Sequence, residues 1–196
     1  MIAYIRGKLV IKDPTYVIIE AGGLGYHIRI SLQTYSALAI SDEVITLHTH
    51  LSIKEDSHTL FGFFELDEKE LFVDLISVSG IGPGTAMVML SSLSASEIKQ
   101  AIATEDVRTV QSIKGIGAKT AARAVIELKD KFRKDQMIGG GATSANIPSY
   151  ALKNEALAAL TTLGIARNVA EKSIETILKK EGFGISLENL IKLALR

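Results

Sequence analysis

An α+β protein built from several small domains is predicted by three features of this 196-residue chain. Runs rich in β-branched and aromatic residues fill the first 64 positions, parted by turn signals. Helical periodicity takes over from residue 65. A stretch of 17 residues without a charge, Gln136–Leu152, then interrupts the helical pattern before a last apolar-periodic segment.

The first two strands are expected at Ile2–Ile11 and Tyr16–Glu20, parted by Lys12-Asp13-Pro14-Thr15. Gly22-Gly23-Leu24-Gly25 turns the chain into Tyr26–Ile30, whose alternation suits a half-buried strand. Val44–Ile53 and His58–Phe63 complete five, with a helical turn over Leu32–Ala39 between. Five short strands in so short a span suggest a small closed barrel, because closure removes unpaired edges. Leu66, Leu71, Leu75 and Ile76 open the first amphipathic helix. Others are expected at Thr85–Leu93, Ser96–Ala103, Asp106–Val110 and Thr120–Phe132. The uncharged stretch, with Gly139-Gly140-Gly141-Ala142-Thr143-Ser144 inside it, reads as a flexible tether. Beyond it, Asn154–Leu163, Ala166–Lys179 and Leu187–Leu195 form three short helices broken at Gly164 and at Gly182 and Gly184. The domains are thus 1–64, 65–136, a linker at 137–152, and 153–196. A core of the last size is marginal and gains from a partner.

Composition narrows the function. At 47% hydrophobic residues the chain carries enough for packed cores, which excludes global disorder. With no Cys there is no disulfide, thiolate metal site or Cys nucleophile. No apolar run approaches the ~18 residues of a membrane span. Residues Met1–Lys8 lack the basic-then-apolar order of a signal peptide, so a cytoplasmic protein is expected. The 22 bases cancel the 22 acids, which argues against a uniformly basic nucleic-acid binder. The mean hides an asymmetry. Residues 65–107 hold two bases and eight acids, a sum of −6, and residues 108–134 hold eight bases and two acids, a sum of +6. A focused basic patch needs only local charge.

The most informative feature is a repeat at an offset of 35 residues. Ser77-Val78-Ser79-Gly80-Ile81-Gly82-Pro83-Gly84-Thr85-Ala86 lies over Ser112-Ile113-Lys114-Gly115-Ile116-Gly117-Ala118-Lys119-Thr120-Ala121, identical at six of ten positions. Each copy sits between helical stretches, giving helix, tight Gly-Ile-Gly hairpin, helix. Glycines reach positive φ and allow backbone to approach a ligand closely. The helix N-terminus that follows offers unpaired N–H groups and a positive dipole, together an anion site. The expected DNA contacts are Gly80, Ile81, Gly82 and Gly84, then Lys114, Gly115, Ile116, Gly117, Lys119, Thr120 and Arg123. Ile81 and Ile116 also suit plugs that anchor the hairpins in the core. Lys119 and Arg123, four apart, share a helix face. Two such hairpins hold phosphates and fix register without reading sequence. Gly115–Thr120 lacks the first and second glycines of a phosphate-binding loop, so no ATPase is expected in this chain.

These motifs, with Gly22-Gly23-Leu24-Gly25-Tyr26, Lys54-Glu55-Asp56 and Leu60-Phe61-Gly62-Phe63, resemble the RuvA family over the whole chain. Its members are the Holliday junction-binding subunits of the bacterial RuvAB branch migration complex. The resemblance implies an OB-fold barrel, tandem helix-hairpin-helix motifs that grip the minor groove of one junction arm, and a C-terminal domain that binds RuvB, the hexameric ATPase. It further implies a homotetramer on four-way junction DNA, as one tetramer or two enclosing it, with RuvC endonuclease sharing the junction in recombination, repair and the SOS response. Glu55 and Asp56, beside the junction-centre base Lys54, would form an acidic pin. Taken alone they read as a solvated turn, or as a metal-binding pair that lacks a third ligand. Leu163, Gly164 and Ile165 are the candidate RuvB contacts. No cofactor or metal is expected. Gly84 and Ala118 stand where the family often carries a base, which weakens expected side-chain contacts there. The four His fall in the β segment, with His48 and His50 on one strand face.

Two rivals come from other classes. A helix-hairpin-helix base-excision glycosylase or nuclease would need an activated Lys or catalytic Asp in a pocket beside the hairpin. A general single-strand binder would need stacking aromatics, and the chain has no Trp and 6% aromatic residues.

Overall fold

The computed structural model describes residues 2–38, 44–139, 147–182 and 184–195. They divide into two compact units, Met1–Gln136 and Met137–Arg196. Among the described residues no helix is long and apolar enough to cross a membrane.

The first unit opens with the expected barrel. Its strands are β1 (Tyr4–Lys12), β2 (Tyr16–Ala21), β3 (Leu24–Ile30), β4 (Val44–Ile53) and β5 (His58–Phe63), with helix α1 (Leu32–Ala37) between β3 and β4. They close in the order β1-β2-β3-β5-β4. Every pairing is antiparallel except β3 with β5, where Ile28 lies opposite Leu60. Asp13 takes the amide and hydroxyl of Thr15 at 2.9 and 2.7 Å to make the first turn. Gly22 and Gly23, at φ 60° and 79°, supply the two positive φ values that a tight hairpin with the right twist demands. One face of each of β1–β4 fills the barrel with Ile5, Val17, Ile19, Ile28, Ile30 and Leu47, and Leu60 of β5 packs against them. β1 runs so close to β2 at Gly7 that a Cβ there would lie 2.1 Å from the Glu20 carbonyl oxygen.

β5 also serves a second core outside the barrel. Gly62 faces inward, against Ile28 and Leu47. Phe61 and Phe63 face outward onto Phe72, with ring centroids 5.2 and 5.0 Å away. Phe72 belongs to α2 (Leu66–Ser77), followed by α3 (Pro83–Ser92), α4 (Ala95–Ala103), α5 (Val107–Gln111) and α6 (Ala118–Gly139). Leu71, Leu75, Met89, Leu90, Ile98 and Ile102 fill the space between them. Ser94 and Glu97 form a reciprocal capping box at the start of α4, and Asp106 caps α5 through the Thr109 amide. His50 shares the strand face of His48, and that face meets a helix: the His50 ring stands edge-on to Phe72 at 5.4 Å. Burial, then the nearby Lys69 charge, holds His50 below the ordinary imidazole range.

Glu68 of α2 is 6% exposed and accepts from the hydroxyls of Ser31 and Thr34, the latter at 2.7 Å. Burial pushes its carboxyl above the ordinary value of 4.5, and the two hydroxyls only partly offset this. The folded carboxyl thus binds a proton more readily than the unfolded one. Its contribution to stability is full below 4.5 and is lost as pH rises through the raised value. Glu68→Gln is therefore expected to remove this slope, so that the unaltered chain gains on the variant as pH falls from neutrality towards 5. Urea melts at the two pH values measure it, and a constant difference between the proteins would refute it.

The second unit holds α7 (Ile147–Thr162), α8 (Arg167–Glu181) and α9 (Leu187–Ala194), packed on Ala156, Leu160, Ala170, Ile174 and Leu190. The expected tether over 137–152 needs correction at both ends. Backbone stays helical to Gly139, because extending a long helix is far cheaper than starting one. α7 begins at Ile147 with Pro148 in its first turn, where a missing N–H costs nothing. Residues 140–146 lie outside those described.

Candidate nucleic-acid interface

The 35-residue repeat is repeated bond for bond. In the first hairpin, Val78 N donates to Leu75 O at 3.1 Å, Ile81 N to Val78 O at 3.0 Å, and Ala86 N to Gly82 O at 3.0 Å. In the second, Ile113 N donates to Val110 O at 3.4 Å, Ile116 N to Ile113 O at 3.1 Å, and Ala121 N to Gly117 O at 3.0 Å. Gly80 and Gly115 take φ of 98° and 90°, a region that excludes most side chains.

Ile81 and Ile116, expected both as DNA contacts and as plugs, are buried in the core at the hairpin tips. Their side chains are 4% and 6% exposed, and their amides are spent inside the hairpins. The open donors are those of the first helical turn, which have no partner four residues back. In the first hairpin these are Gly82, Gly84 and Thr85, since Pro83 has no N–H. In the second they are Gly117, Ala118, Lys119 and Thr120. Gly82 sits at φ −87° and ψ 170°, a conformation open to any residue, and a Cβ on Gly82, Gly84 or Gly117 would meet nothing within 4 Å. The fold does not require glycine at these three positions. What they leave clear is the approach to the amides.

The two hairpins are brought together. A Cβ on Gly80 would touch the Thr120 side chain at 3.5 Å, and Arg123 Nη1 donates to Ser79 O at 3.3 Å. Thr120 and Arg123, read from sequence as phosphate contacts, thus also brace the first hairpin against α6.

The +6 segment does not persist as one patch. Lys131 pairs with Asp74, and Lys129 and Arg133 both reach Glu105, at 3.6 and 2.8 Å. Arg123 lies 3.6 Å from Glu127. Glu105 has a φ of 60°, costly for a side-chain-bearing residue, and α6 clamps that turn through its two cations. Two acids of the −6 segment, Asp74 and Glu105, thus pair with three of the cations of α6. Lys114 and Lys119, exposed on either side of Gly115–Gly117, make no ion pair among the described residues. The side chain of Lys134 lies outside those described. Local charge is therefore concentrated at the second hairpin.

Lys54, Glu55 and Asp56 are all exposed in the loop joining β4 to β5, closed by Lys54 N donating to Ser57 O at 2.8 Å. In the second unit Leu163 is 62% exposed, whereas Ile165 packs partly against the core. Val169, 52% exposed, joins Leu163 beside the α7–α8 turn. The break expected at Gly164 is a third Gly-Ile turn. Gly164 has a φ of 90°, and Ala170 N donates to Ala166 O at 3.0 Å, matching the first helical bond of both hairpins.

Comparison with known proteins follows the same division. Residues 1–62 match the RuvA N terminal domain family, and residues 72–130 match the SAM-like helix-hairpin-helix tandem family. A Holliday junction branch migration complex subunit RuvA from Cytophaga hutchinsonii is 54% identical over 198 residues, spanning 100% of this chain and 99% of that protein. Proteins of the same description are 50% identical in Christiangramia forsetii and 44% identical in Amoebophilus asiaticus, each over 196 residues. Those two cover 100% of this chain, and 99% and 100% of their own lengths.

Proposed function

Because the chain belongs to the RuvA family, we propose that it is a Holliday junction-binding subunit of a branch migration complex, without catalytic chemistry of its own. The observation that carries this reading is the pair of hairpins with identical hydrogen bonding and open amides at each helix start. Two clusters of donors, one flanked by Lys114 and Lys119, suit two phosphates of one duplex arm and fix register without reading bases. In this reading residues 1–64 supply the junction centre, 65–136 hold the arm, and 153–196 meet a motor of the RuvB type through Leu163 and Val169. Family membership supports a homotetramer, as one or two copies per junction, with RuvB as the ATPase partner, RuvC at the same junction and a cytoplasmic location.

Four copies would gather the paired acids of the β4–β5 loop at the centre, eight negative charges in all. A fixed charge near a phosphate costs about 1 kcal/mol at 4 Å even in water. Such a cluster disfavours continuous duplex and favours strands that part around it.

The test is competition between a synthetic four-way junction and linear duplex of the same arm sequence near physiological salt. Strong preference for the junction, without cleavage or ATP hydrolysis, is expected. Equal affinity for the two would remove the junction role. Glu55→Gln with Asp56→Asn is expected to keep or tighten junction binding while duplex binding rises on the order of tenfold. Loss of junction affinity in that double variant would refute the acidic-pin role.

A further inference from the structure

Among the described residues, three of the four buried polar side chains, Ser31, Thr34 and Glu68, form one network where the barrel meets the helices. Its directions are fixed. Each hydroxyl has a single hydrogen and gives it to Glu68. Ser31 Oγ then accepts from Thr34 N at 3.0 Å, and Thr34 Oγ1 accepts from Phe64 N at 3.0 Å. One residue on, Leu32 N donates to Ser91 Oγ of α3 at 3.2 Å. The first turn of α1 is thus bonded to α2, to α3 and to the residue that follows β5.

Those elements carry two parts of the junction grip. The acidic loop leads into β5, and the first hairpin joins α2 to α3. Six residues of β5 extend about 20 Å, and twelve residues of α2 extend about 18 Å. The network sits at the joint between these arms. A change of about 10° there moves the far end of α2 by roughly 3 Å, more than a hydrogen bond to phosphate tolerates. Burying a carboxylate is costly, and an apolar side chain of similar volume would fill the space more cheaply. An apolar residue would not hold the two hydroxyls that tie α1 and Phe64 to α2.

We propose that Glu68 is a positioning residue that sets the spacing between the Glu55–Asp56 loop and the first hairpin, matching the pair to a four-way junction and not to a continuous duplex. The proposal rests on the junction-binding reading. Its test compares Glu68→Ala and Glu68→Gln with the unaltered chain in junction and duplex binding, alongside melting curves. Glu68→Ala is expected to weaken junction binding about tenfold while duplex affinity stays within about twofold. Glu68→Gln, which keeps the shape and one acceptor, is expected to restore most of the preference. A parallel fall in both affinities, or an unchanged preference, overturns the positioning role. Should Glu68→Ala not fold, Ser91→Ala takes its place, with a smaller loss in the same direction expected and an unchanged preference again overturning the role.

A second measurement separates this idea from the junction reading, which fails if the unaltered chain shows no preference. The chain has no Cys, so Ser57→Cys and Ser77→Cys give unique sites for spin labels, with labelled chains diluted among unlabelled ones. The distance distribution is expected to broaden or shift by roughly 3 Å in Glu68→Ala and to recover in Glu68→Gln. Identical distributions in all three proteins overturn the proposal whatever the DNA does.

Discussion

Exchanging Gly82 and Gly117 for Asp is expected to raise the melting temperature slightly and, in the same protein, to abolish junction binding. The two effects have one origin. Gly82 occupies the position before α3 in extended backbone, and Gly117 makes the matching first helical bond before α6. Asp is among the best residues at such a position, because its carboxylate accepts from the open amides and opposes the dipole. The gain is a few tenths of a kcal/mol per helix, and no neighbour stands in the way. The same carboxylate consumes the donors that would hold a phosphate and sets a negative charge against it. Charge-assisted hydrogen bonds contribute about 2 kcal/mol each, so losing even one per hairpin weakens binding roughly thirtyfold per site. Asn at both positions caps almost as well without the charge and should lie between. Junction binding that survives the Asp pair would show that the hairpins are only helix connections.

Gly7→Ala is expected to be the most damaging single methyl in the barrel. Its Cβ would fall 2.1 Å from Glu20 O, 2.8 Å from Glu20 C and 2.8 Å from Ile19 Cγ2. Two of these are backbone atoms of the neighbouring strand, so no rotamer relieves the clash and β1 must separate from β2. Overpacking of this kind costs about 3 kcal/mol or more, which for a chain of this length lowers the melting temperature by roughly 6–12 °C. Gly62→Ala meets Ile28 Cγ2 at 2.5 Å, the end of a side chain, and should cost less. Gly25→Ala meets Ile18 Cγ2 at 3.5 Å and serves as the control. Equal melting temperatures for Gly7→Ala and Gly25→Ala would refute the argument.

Much of this architecture could be read from local pattern. Alternation and turn residues located the five strands, and the repeat at 35 located both hairpins, because these signals reside in adjacent residues. What lay hidden depends on contacts across the chain. Glu68 sits in Leu66-Asp67-Glu68-Lys69-Glu70, which reads as a solvated helix face, and only the fold places Ser31 and Thr34 upon it. The pairing within the +6 segment could not be read from sequence, because its partners, Asp74 and Glu105, lie far back in the chain. Ile81 and Ile116 carry the same motif as the glycines beside them, yet their amides turn inward, a distinction that hydrogen bonds reveal and spacing does not. Strand order was equally illegible, since β5 is apolar on both faces and gives no sign of which neighbours it takes.

That strand order bears on how the chain is made. β5 is the staple of the barrel, paired on one side with β3 and on the other with β4. Until residues 58–63 leave the ribosome, β3 and β4 each present an unpaired edge, and unpaired edges recruit other chains. The nascent N-terminal region is therefore exposed to aggregation throughout the synthesis of its first 57 residues. Closure also delivers Phe61 and Phe63 to the surface on which α2 will pack. The surface that receives α2 is thus complete before α2 itself is made, so order of synthesis and order of assembly can coincide.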